Sequence, residues 1–125
     1  MTGTLIQVAL GGALGATARY LTGLAAVRAL GPGLPWGTLI VNIAGSFLMG
    51  ILVVMLAQFG SNRFAPFLMT GLLGGFTTFS AFSLDAVSLY ERGAVGAAAL
   101  YVSASVVLSL AAIAAGLILA RSIVQ

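Results

Sequence analysis

From Trp36 to Phe59, and again from Ala94 to Ala120, the chain runs without a single charged residue. Each stretch is about as long as the ~20 apolar residues that cross a bilayer core. Two further apolar segments, from about Leu5 to Val27 and from Pro66 to Tyr90, complete a set of four. The segments are separated by Arg28 with Gly31-Pro32-Gly33-Leu34-Pro35, by Gly60-Ser61-Asn62-Arg63, and by Glu91-Arg92-Gly93. Two prolines and two glycines rule out a continuing helix at the first break; Trp36 suits the interfacial zone, and Pro66 is accepted in a first helical turn. A soluble domain leaves roughly a third of its surface in water. Seven charges cannot cover that surface in a chain that is 61% hydrophobic and 6% charged. The pattern predicts an all-α integral membrane protein, a single domain over 1–125 with four transmembrane helices at about 5–27, 36–59, 66–90 and 94–120. The short connections make consecutive helices antiparallel.

Residue usage removes most other classes. With no cysteine and no histidine, disulfides, zinc sites, thiol nucleophiles and imidazole acid/base chemistry are excluded. The net charge of +3 comes from five arginines spread singly along the chain, not clustered as nucleic-acid binding requires, so no nucleic-acid partner is expected. The few ionisable groups form no nucleophile or acid/base constellation, which argues against an enzyme. The first apolar stretch lacks a basic leader and a clear small-residue cleavage site, and is expected to stay in the mature protein. Seventeen glycines read as packing surface, because membrane helices associate by close backbone approach. Gly11 with Gly15, and Gly71 with Gly75, are spaced for such crossings.

Membrane proteins normally carry an excess of arginine and lysine on the cytoplasmic side. Here one face receives Arg63 and Arg121, the other Arg28 and Arg92, with Arg19 inside the first span adding to the second side if it snorkels. So slight a bias predicts insertion in both orientations, which lets identical subunits pair antiparallel.

Polar groups within the spans are costly and have partners or purpose. Thr38, Asn42 and Ser46 recur every four residues on the second helix, and Tyr101, Ser105 and Ser109 do so on the fourth, each set sharing a face. Both sets offer hydrogen-bond donors without formal charge, a lining able to replace the hydration of a small anion without trapping it. On the third helix, Gly74-Gly75-Phe76-Thr77-Thr78-Phe79-Ser80-Ala81-Phe82-Ser83 predicts an interruption, with freed carbonyls satisfied by protein, water or a bound cation. Phe79 and Phe82 share a face beside Ser80 and Ser83, and an aromatic edge can meet an anion. Arg19 is read either as a positive charge in a wet vestibule or as an interfacial anchor. Asp85 is read as an arginine's partner or the cap of a vestibule.

The chain resembles, over its whole length, the Fluc family of bacterial fluoride channels, also called CrcB proteins. The likeness rests on Gly11-Gly12-Ala13-Leu14-Gly15-Ala16 leading to Arg19-Tyr20, on Gly37-Thr38, Val41-Asn42 and Gly45-Ser46-Phe47-Leu48-Met49-Gly50, and on Gly74 through Ser83. The resemblance implies a multi-pass protein of the bacterial plasma (inner) membrane. It also implies an antiparallel, dual-topology homodimer with two fluoride pores, which passively exports fluoride to relieve its toxicity, and a central structural sodium ion. By position, Phe79 and Phe82 are similar to the family's pore phenylalanines, Asn42 to its pore asparagine, and Tyr101, Ser105 and Ser109 to its fourth-helix polar track, with Thr38 and Ser80 beside them. Gly74 and Thr77 would supply sodium-binding carbonyls, and Arg19 would sit at the vestibule. Ala81 and Asp85 depart from the family's commoner threonine and glutamate.

Such a channel has a physical rationale. Hydrogen fluoride enters cells neutral and ionises inside, and a negative interior, worth about 2.3 kcal/mol per charge per 100 mV, drives the anion out. Two rivals fit a small four-helix chain: a proton-coupled multidrug exporter and a non-transporting assembly subunit. The exporter needs an in-membrane carboxylate, and the first helix has none.

Overall fold

The computed structural model describes residues 1–60 and 62–125, and Ser61, within the second polar break, lies outside them. Among the described residues the chain is helical throughout, with four long helical runs and no strand. The first, α1, covers Thr2–Leu30, and α2 covers Trp36–Gln58. The third run is composite. A π-wound segment Pro66–Leu73 passes into a short α-turn Gly74–Phe76, together called α3; Thr77 and Thr78 are extended, and α4 covers Phe79–Glu91. The last helix, α5, covers Val95–Val124.

Among the described residues, three runs are long and apolar enough to cross a membrane: Trp36–Gln58, Pro66–Glu91 and Val95–Val124. The long α1 is diluted by Gln7, Arg19, threonines and glycines. It extends past the expected stop at Arg28, because an arginine in the last turn favours the negative helix end. Gly31, at φ 83, ends it. For the same reason α5 runs past Arg121.

Packing follows the small residues. The helices α2 and α5 pack together and approach most closely where Gly50 meets Ile113 and Gly116 meets Phe47; a methyl group on Gly116 would overlap the Phe47 carbonyl oxygen. The helices α1 and α3 meet through the two glycine pairs read from sequence. A methyl on Gly71 would stand 2.9 Å from the Gly11 Cα. Very few large side chains are buried within one chain; Val41, Leu73, Leu89 and Tyr101 are the main ones. The packing thus comes from backbone proximity more than from an interior of bulky side chains.

Candidate functional site

The junction between α3 and α4 is built by side chains that replace helical hydrogen bonds. A continued helix would pair the Thr78 N–H with the Gly74 carbonyl. Instead, Thr78 N–H donates to Asn42 Oδ1 at 2.8 Å, and Asn42 Nδ2 donates back to the Thr78 carbonyl at 3.0 Å. The Ala81 N–H, which would serve the Thr77 carbonyl, donates to Thr78 Oγ1 at 3.1 Å as the N-cap of α4. The Gly75 carbonyl would pair with Phe79; it accepts from Arg19 Nε at 3.0 Å. Three backbone groups displaced by the turn to extended geometry are thereby satisfied, as buried groups must be. The carbonyls of Gly74 and Thr77 lose the donors a helix would give them.

Beside this junction lies a cavity of about 430 Å³ lined by Asn42, Gly45, Ser46 and Met49 of α2, by Thr77, Thr78, Phe79 and Phe82, and by Ser105, Val106, Ser109, Leu110 and Ile113 of α5. It collects Asn42, Ser46, Thr77, Phe79, Phe82, Ser105 and Ser109 from the residues singled out by sequence. The Ser105 hydroxyl is fully buried and without a hydrogen-bond partner, a state that costs about 1–3 kcal/mol unless something fills it. Asn42 keeps one amide hydrogen beyond the bond it gives Thr78. Phe79 and Phe82 stand with ring centroids 5.5 Å apart and tilted by 51°, and Phe82 meets Tyr101 at 5.5 Å and 40°. One side of the cavity is open, for Phe79 is 78% exposed and Leu110 64%.

Other expected residues lie elsewhere. Thr38 lines a second cavity of about 280 Å³ with Asp85, Trp36, Gly37 and the first interhelical loop. Tyr101 is buried and donates its hydroxyl to Asp85 Oδ2 at 3.1 Å. Tyr101 thus links Phe82 of the first cavity to Asp85 of the second without lining either. The Ser80 hydroxyl is 3.3 Å from that of Thr78 and does not line the main cavity. Arg19 is tied to the junction. Gly74 is at the exposed surface of the chain. Thr78 and Gly45 were not among the sequence candidates. The cap role of Thr78 was foreshadowed by its place after the glycine pair and before a helical run.

The sequence model described as CrcB-like protein, Camphor Resistance (CrcB), matches residues 6–117. The chain belongs to the CrcB family. It is 67% identical over 121 residues to a protein of Cereibacter sphaeroides called fluoride-specific ion channel FluC, with 97% of each chain covered. Proteins of the same name from Ruegeria sp. and Agrobacterium fabrum are 60% and 58% identical, covering 96% of both chains and 93% of this chain and 94% of its relative, respectively. The resemblance read from the glycine, asparagine and phenylalanine motifs is borne out, and these CrcB-family relatives are channels, not enzymes.

Proposed function

We propose that this chain is a fluoride-selective channel that lets fluoride leave the cytoplasm passively, with Asn42, Phe79, Phe82, Ser105 and Ser109 lining its path. The observation that carries the reading is one cavity lined together by Asn42, Phe79, Phe82, Ser105 and Ser109, with an Asn42 amide hydrogen to spare. A lining of that kind suits a small anion. Uncharged donors and aromatic edges replace its water without holding it as an ammonium would.

The open side of the cavity supports a second copy as the missing wall, and the arginine balance supports an antiparallel pair with one path on each side. In this reading α1 is the fourth span and the third is one helix interrupted at Thr77–Thr78. A structural sodium ion is consistent with the junction. The carbonyls of Gly74 and Thr77 have lost their helical donors, a hard cation takes oxygen ligands, and the described residues hold no cluster of three His, Cys, Asp or Glu. Such an ion would lock the junctions of two subunits together. Thr38, Ser80 and Tyr101 belong to the approaches to the path, and Arg19 adds fixed positive charge near its entrance. The membrane is the bacterial plasma membrane.

Purified protein in liposomes loaded with fluoride and chloride tests the proposal. Fluoride loss without chloride loss, much reduced in Phe82→Ile, is expected. No fluoride loss from folded, dimeric protein would sink the channel and leave an assembly subunit as the better reading.

A further inference from the structure

Gln7 does something that neither its surroundings in sequence nor the channel reading explains. In an α-helix the Phe67 N–H would bond the Arg63 carbonyl four residues earlier. In the structure the Gln7 amide from α1 stands between them: Nε2 donates to the Arg63 carbonyl at 3.1 Å, and Phe67 N–H donates to Oε1 at 3.2 Å. Arg63 lies in the turn ahead of the helix and Phe67 in its first turn, where N–H groups have no intrahelical acceptor. The amide thus caps the start of the third run from another helix. Beside it Leu68 N–H bonds the Phe64 carbonyl at 2.9 Å. The capped segment, Pro66–Leu73, is wound as a π-helix, and at its end the Gly74 N–H reaches back to the Met69 carbonyl.

A π-turn closes one residue later than an α-turn. Since each α-helical residue advances the helix by about 100°, one such turn shifts everything beyond it by about that angle. Gly71 and Gly75 then face α1, where Gly11 and Gly12 receive them, and the junction at Thr77–Thr78 faces Asn42. A glycine-to-glycine crossing fixes distance but, lacking interlocked side chains, does little to fix rotation. The rotation needs a separate determinant.

We propose that Gln7 is a positioning residue that sets the rotational phase of α3 by clamping its first turn to α1 through Arg63 and Phe67, and through it the placement of the Thr77–Thr78 junction. The consequence for flux rests on the channel reading; the consequence for the junction does not.

Two measurements on the purified dimer test this, comparing native protein with Gln7→Leu, which loses both bonds, and Gln7→Glu, which keeps only the acceptor. Hydrogen–deuterium exchange at Thr78 and Ala81 is expected to quicken roughly tenfold in Gln7→Leu, as for loss of about one hydrogen bond's worth of protection, and by less in Gln7→Glu. Fluoride efflux is expected to fall in the same order. Should Gln7→Leu fail to fold, Gln7→Glu carries the test alone on both measurements. Faster exchange confined to 62–68, with native protection at Thr78 and Ala81, would overturn the proposal. A native protein that passes no fluoride overturns the channel reading instead and leaves the exchange comparison standing.

Discussion

Asn42 and Ser105 face one cavity in opposite states: the amide is engaged by the Thr78 backbone, whereas the hydroxyl is engaged by nothing. Their substitutions are therefore expected to diverge. Ser105→Ala removes a buried group with no partner, so the melting temperature of the protein stays level or rises while fluoride efflux from liposomes falls. Asn42→Ala strands the Thr78 N–H and carbonyl. It is expected to lower stability by about 1–3 kcal/mol, read as a drop in thermal unfolding, and to reduce efflux as well. Sequence placed Asn42 in the lining through its four-residue spacing with Thr38 and Ser46 and its match to the family's asparagine. Its grip on Thr78 was not legible, since a backbone partner leaves no mark on the residue that provides it. Gln7 escaped notice for the same reason.

Helix spans were largely legible because charge and the proline-glycine breaks mark the bilayer edges. The expected stops at Arg28 and Arg121 came too early, since arginine is a good residue for a last turn and only Gly31 supplies a backbone that ends α1. Each four-residue step along a stripe also climbs about 6 Å along the helix axis. Thr38 therefore lines the second cavity one turn away and Tyr101 gives its hydroxyl to Asp85, while Asn42, Ser46, Ser105 and Ser109 line the main cavity. At this scale the crossing of α2 and α5 makes a sharp prediction. Gly116→Ala forces a methyl into the Phe47 carbonyl and is expected to destabilise the protein by about 1–3 kcal/mol or more, seen as loss of the folded species on size-exclusion chromatography. Gly96→Ala on the same helix meets nothing within 4 Å, and the same column is expected to show an unchanged elution profile.

For the whole molecule, the antiparallel pair proposed from the arginine balance and the open side of the cavity has a direct test. Arginines added at Gln58 and Ser122, both on the face that holds Arg63 and Arg121, are expected to fix one orientation. Efflux is then lost when this variant is expressed alone and returns when it is co-expressed with a variant biased the other way. Cysteine labelling from either side of the membrane reads the orientation cleanly, since the native chain has no cysteine.

The junction at Thr77–Thr78 has an electrical meaning as well. There the carbonyl end of α3 and the amide end of α4 come within two residues of each other, so a negative pole and a positive pole stand at nearly the same depth. The Arg19 guanidinium on the Gly75 carbonyl adds a positive charge on the carbonyl side. Whatever passes or rests there meets a field drawn by the two backbone poles and that one side chain.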